Sequence, residues 1–329
     1  MASNLNDHII IHKLARDLGL KDSAEPVERV LAYCRKKVRE IAKDFDGEKT
    51  PGKILPWLEG KLSTTFREIH CDADLSQLIT EYCGKKEHVF ATLAQEFQGN
   101  TEGITLRLWH PELWEPRFVS VIDCRGRRRL RRYHTKWHEL THLLVMTDQS
   151  RMEFRRTHDP AHEKSAEEKL VDAIAGDLSF FPDMVAPLID GDISFEKIED
   201  IRSRMCPDAS LTSSAINMSK IWPSPCIWLE ARPQAKKGAP KGSALDLRAV
   251  KVSENEAARQ HGLRMITNFR VPTNSIIFGS FFRGFASGEA IENLAWWEAS
   301  AGTRLQNRPV HVQVKNMGDS VQALVTPTA

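Results

Sequence analysis

The chain has 329 residues, 41% hydrophobic and 27% charged, the proportions of a folded globular protein, and its length predicts two domains. A net charge of +2 excludes a global electrostatic case for nucleic-acid binding, and no apolar run approaches the length of a membrane span. The first residues form no secretion signal, and six scattered cysteines without a C-x-x-C favour free thiols, so a cytoplasmic protein is expected.

To about residue 100 the chain reads helical. From Pro26 to Asp44, the residues Val27, Val30, Leu31, Cys34, Val38 and Ile41 fall at helical spacing. Further helices are predicted near 52–60, 74–82 and 87–97, with a strand at 65–69. Residues 104–108 and 118–122 alternate as strands. The second of these is taken as an exposed edge that could hold a substrate as an added strand, with Val119 and Val121 as substrate-binding residues. Residues 125–132 hold six arginines, suited to gripping phosphate or acidic segments, or to pairing with local acids in a solvated turn; the pairing is preferred. Cys124, just before them, is expected to be a buried spectator thiol rather than a group reaching a metal.

Next comes His138-Glu139-Leu140-Thr141-His142 in a run free of Gly and Pro, predicted as a helix over 136–146. Two histidines four apart lie one above the other on a helix face, so both imidazoles can reach one ion, with Glu139 beside them to take a proton from water. This is the H-E-x-x-H arrangement of zinc hydrolases. The surrounding residues are apolar nearly all round, so the ionisable groups are buried and need partners, and a divalent cation satisfies all three.

A catalytic zinc takes three protein ligands and keeps one position open. The third is sought 26 residues after His142, on a helix predicted over 160–181 with Asp159-Pro160 at its start. Glu168 and Asp172 share a small, polar face with Ala175 and Ser179, while Leu170, Ile174, Leu178 and Phe181 form the core stripe. Glu168 is assigned as a metal ligand and Asp172 as the acceptor of one histidine's spare N–H. Glu163 and Glu167 are the rival ligands; His158 and His162 are read as surface or loop residues.

H-E-L-T-H followed by E-x-x-x-D resembles thermolysin-like zinc peptidases, and the wider context resembles the ImmA/IrrE family of bacterial metallopeptidases. There a strand, a basic stretch and an H-E-x-G-H helix precede an E-x-x-A-N-x-F-A helix. In this chain Thr141, Val171, Asp172 and Ile174 depart from that pattern, and none removes a ligand or the base. The resemblance spans roughly residues 25–230. It implies zinc ligands His138, His142 and Glu168, a general base Glu139, and limited proteolysis of a regulatory protein, often a helix-turn-helix repressor, in stress or phage-related responses.

After Pro182, helices are predicted at 195–205 and 210–221, then a strand at 226–230. Residues 231–243, with two Pro, two Gly and three Lys, read as a flexible linker. Strands are predicted at 245–252, 265–271, 275–282, 309–314 and 321–326, with a helix at 288–299. Trp296-Trp297 is read as core and rim packing.

The expected architecture is α+β: a helix-rich, zincin-like metallopeptidase domain over 1–230 with a small sheet, then a small α+β module over 244–329. By analogy with sensor domains of ImmA/IrrE relatives, that module is expected to be GAF-like, with its ligand undetermined. The expected activity is zinc-dependent endopeptidase hydrolysis. The alternatives are a non-catalytic zinc-binding sensor and a metal hydrolase acting on a non-peptide substrate.

Overall fold

The structure is a computed structural model describing residues 8–146, 153–157, 164–240, 242–297 and 305–328. It is mixed α+β and divides into two units, Met1–Met184 with Arg204–Ser210, and Val185–Ser203 with Leu211–Ala329. The boundary therefore does not fall at the expected linker. Residues 231–234 belong to a strand, and 235–245 connect it to its antiparallel neighbour in the same sheet.

In chain order the first unit contains α1 (Ile9–Asp17), α2 (Pro26–Ile41), α3 (Pro51–Lys61), β1 (Thr64–Ile69), α4 (Asp72–Gly84), α5 (Leu93–Glu96), β2 (Thr101–Arg107), β3 (Phe118–Asp123), α6 (Arg132–Val145), β4 (Glu153–Thr157) and α7 (Ala166–Leu178). Its sheet has the order β1-β3-β2-β4, with β1 parallel to β3 and both other pairings antiparallel.

Strand periodicity assigns opposite jobs to the two faces of this sheet. Ile104, Leu106, Val119 and Val121 pack with Leu75, Leu78 and Tyr82 of α4 into one apolar core. Gly103 and Thr105 of β2 turn the other way, toward Glu139 on α6. The proposed substrate-binding role of Val119 and Val121 is therefore overturned. Strand β3 is paired on both sides, and both valines are fully buried on the face away from the histidine helix.

Helix α6 begins four residues earlier than expected, following a 3-10 turn over 126–131. Its C-terminal turn is satisfied by Lys37, whose Nζ donates to the Leu144 carbonyl at 2.9 Å. Helix α7 starts at Ala166 because Ser165 caps it, accepting the Glu168 N–H at 3.1 Å. The expected cap at Asp159-Pro160 lies outside the described residues. The helix ends short of 181, where Phe181 takes φ +40° ahead of Pro182. Arg35 of α2 holds α7 through a two-pronged pair with Asp177.

Helices α8 (Pro182–Val185) and α9 (Phe195–Met205) span the divisions between the units. The second unit continues with α10 (Leu211–Ile221), β5 (Ile227–Gln234), β6 (Asp246–Glu254), α11 (Glu256–Gln260), α12 (Ile276–Arg283), β7 (Ser287–Asn293), β8 (Pro309–Asn316) and β9 (Val321–Pro327). Its antiparallel sheet runs β6-β5-β9-β8-β7 around a core including Leu229, Ile277, Val312 and Trp297.

Two elements exchange type relative to expectation. Residues 276–283 form a helix, because Ser275 caps its start and Gly284, at φ +77°, closes its end. Residues 287–293 form the outer strand β7 instead of a helix. The expected strand at 265–271 reduces to a single bridge between Arg248 and Arg270. Trp297 is fully buried while Trp296 remains 42% exposed, the expected core and rim pair.

Candidate metal centre

Three side chains from two helices converge. His142 Nε2 lies 3.1 Å from His138 Nε2, and the Glu168 carboxylate oxygens lie 3.2 Å from His138 Nε2 and 3.1 Å from His142 Nε2. Ligand atoms about 2.0–2.1 Å from a tetrahedral zinc are separated by roughly 3.3–3.4 Å, so each separation is close to one edge of that tetrahedron, with Glu168 Oε2 facing His138 and Oε1 facing His142. Both histidines are fully buried, and two imidazole nitrogens with one carboxylate oxygen form a donor set suited to catalytic zinc.

The proton inventory agrees with that fit. Asp172 Oδ1 lies 2.9 Å from His138 Nδ1, and Lys164 Nζ closes on the other oxygen of the same carboxylate. A carboxylate paired with lysine only accepts, so Nδ1 carries the hydrogen of that contact and Nε2 is the ring nitrogen that would face an ion. Burial pushes the Glu168 carboxyl up, but its hydrogen bonds with His138 and His142 outweigh that and hold it down at about 2.

Glu139, also fully buried, is aimed from the same helix. Its Oε2 accepts from Thr105 Oγ1 at 2.7 Å, whereas the buried Oε1 has no hydrogen-bond partner among the described residues. Leaving such an oxygen bare costs about 1–3 kcal/mol, a cost expected where the group has chemical work to do. Burial raises the Glu139 carboxyl above the usual range, against the downward pull of both imidazoles and Thr105. Gly103 makes the room: a Cβ there would stand 2.6 Å from Glu139 Oε1 and 2.7 Å from Thr135 Cγ2.

Thr105, Gly103 and Lys164 have no signature in the sequence. Only the strand's alternation, which turns Gly103 and Thr105 to one face, points toward them. Glu167 is not part of the cluster, and Glu163, His158 and His162 lie outside the described residues.

Among the described residues a second group, Glu68, His70 and Cys124, also gathers three potential ligand atoms. There Lys136 Nζ at 2.6 Å and Arg132 at 3.4 Å already neutralise Glu68, and burial, followed by Glu68 itself, drives the Cys124 thiol up to about 12. A protonated thiol beside two cations is a poor cation site. Cys124 lies outside the His138, His142 and Glu168 group.

The arginine-rich turn is an internal ion-pair knot. Arg125 and Arg128 converge on buried Asp123, Arg131 pairs with Glu102, and Arg132 bridges Glu68 and Asp208. No helix among the described residues is long and apolar enough to cross a membrane. Compared with known proteins, the chain matches no family model and no curated sequence.

Proposed function

We propose that this chain is a zinc-dependent endopeptidase that makes a limited cut in a specific protein. The observation that carries the reading is the convergence of His138, His142 and Glu168 beside a buried carboxylate with one bare oxygen. His138, His142 and Glu168 would hold the ion, and Asp172 with Lys164 would fix the His138 ring. Zinc bound there supplies Lewis acidity, lowering the pKa of water and polarising a carbonyl. Glu139 Oε1 takes the proton of the attacking water and returns it to the leaving amine.

Strand β4 is the sheet's outer strand next to β2, and its other edge, unpaired among the described strands, replaces β3 as the place where an extended substrate would add. The resemblance to ImmA/IrrE peptidases supports a regulatory protein, such as a helix-turn-helix repressor, as the substrate.

The test is a matched set of variants. Purified wild-type chain should carry about one zinc, and so should Glu139→Gln, while His138→Ala and Glu168→Ala lose it. Wild type should cleave a co-expressed repressor encoded beside it, and Glu139→Gln should not. Zinc retention without cleavage of any candidate by wild type would favour the non-catalytic sensor. Full activity in Glu139→Gln would remove the base assignment.

A further inference from the structure

Behind Glu139 lies a line of hydroxyls that the ligand set does not include. Thr105 Oγ1 is 2.7 Å from Glu139 Oε2, Ser120 Oγ is 2.7 Å from Thr105 Oγ1, and Thr64 Oγ1 is 3.2 Å from Ser120 Oγ. The three come from adjacent strands β2, β3 and β1, and all are buried, with Thr105 and Ser120 at 0% exposure and Thr64 at 3%. Thr105 and Ser120 are direct cross-strand partners.

Each hydroxyl has one hydrogen, and Thr105 Oγ1 is the donor to Glu139 Oε2. Thr105 must therefore spend its hydrogen on Glu139, which obliges it to accept from Ser120, which in turn must accept from Thr64. The acceptor at the end sets the direction of the whole line. Such chains also strengthen their members, because each donor is polarised by the one behind it.

We propose that Thr105 is the positioning residue of Glu139, with Ser120 and Thr64 fixing its hydroxyl as a donor so that Oε2 is held and Oε1 is the oxygen left for proton transfer. The assignment of Oε1 to chemistry rests on the peptidase reading; the holding of Oε2 does not. The space at Gly103 completes the arrangement, since it keeps the strand from closing over Oε1.

This predicts a gradient along the line. With a quenched-fluorescence peptide selected from a library for cleavage by the zinc-loaded wild-type chain, Thr105→Val should lower kcat about 10–100-fold and leave KM within about two-fold. Ser120→Ala, which leaves the Thr105 donor in place, should lower kcat several-fold less, and Thr64→Val less again. Thr105→Ser, which keeps the hydroxyl, should restore kcat to within about three-fold of wild type. Equal kcat for Thr105→Val and wild type would overturn the proposal, as would a Thr105→Ser as slow as the valine variant.

A second measurement needs no activity. In zinc-free full-length protein, the shift in urea midpoint caused by Thr105→Val should shrink by at least half when Glu139 is already Ala, because the partner is gone. Additive shifts would overturn the proposal. If the wild-type chain cleaves no peptide while this coupling is present, the peptidase reading falls and the positioning of Glu139 by Thr105 stands. Should Thr105→Val fail to fold, Ser120→Ala and Thr105→Ser carry the same two measurements.

Discussion

His138 Nδ1 and Asp172 Oδ1 stand 2.9 Å apart where α6 meets α7, and Lys164 holds the far oxygen of the same carboxylate. The pair orients the His138 ring, so on the proposed zinc reading it would act on metal affinity without touching the ion. Asp172→Ala should weaken zinc binding about 10–100-fold, read by competition against a chromophoric chelator. Circular dichroism should show an unchanged fold. Unaltered affinity would mean that the ring is held by its packing alone.

Gly103 is tested by adding one methyl group. A Cβ at 2.6 Å from Glu139 Oε1 and 2.7 Å from Thr135 Cγ2 is closer than ordinary contact allows, so strand or side chain must shift. Gly103→Ala should destabilise the protein by about 1–3 kcal/mol in urea unfolding and slow peptide cleavage. Zinc stoichiometry should not change, because the methyl points at the base and not at the three ligand atoms. Loss of the metal in this variant would show instead that the strand shift propagates through α6.

The candidate site was legible because its parts are local: His138, Glu139 and His142 on one helix, and Glu168 four residues before Asp172 on another. What surrounds it was less legible, for a physical reason visible at Ser120. Alternating polar and apolar residues in 118–122 read as a half-exposed edge strand, yet the polar member faces buried Thr64 and Thr105 instead of water. Periodicity gives the face on which a side chain lies, but not what covers that face. The same limit exchanged helix and strand in the second unit. Ile276, Ile277, Phe278, Phe281 and Phe282 favour a strand by composition, while the caps at Ser275 and Gly284 decide for a helix. At 231–243, composition suggested a linker where two strands turn back on each other.

Cys34, Cys124 and Cys226 are buried, and burial raises each thiol from an ordinary 9.0 to about 12. At pH 8 they should therefore resist iodoacetamide in the folded protein, while exposed Cys71 and half-buried Cys83 react. Mass spectrometry should count four additional labels, on these three and on buried Cys206, only after urea is added. The sign of the pH effect follows from the raised folded values. The stability these thiols contribute is complete below their ordinary 9.0 and is lost as pH rises toward about 12. Labelling of Cys124 in the native state would show that the β1–β3 end of the sheet opens.

Asp123 carries the arginine-rich turn. It is 1% exposed and accepts from the Arg125 backbone at 3.0 Å, from Arg125 Nε and Nη2 at 2.9 Å each, and from Arg128. Burial alone would raise its carboxyl, but the bonds from Arg125 and Arg128 outweigh that and hold it below its ordinary 3.8. Its contribution is then present above 3.8 and is lost as pH falls through the lower folded value. Asp123→Asn removes the buried charge that Arg125 and Arg128 share, leaving Arg125 its exposed partner Asp72, and should cost about 3 kcal/mol at pH 7, measured from urea midpoints. At pH 3, below the carboxyl's ordinary 3.8, the gap between variant and wild type should narrow, because the unfolded wild-type chain takes up a proton that the folded one resists. An equal gap at both pH values would show that the hydrogen bonds of Asp123, and not its charge, hold the turn.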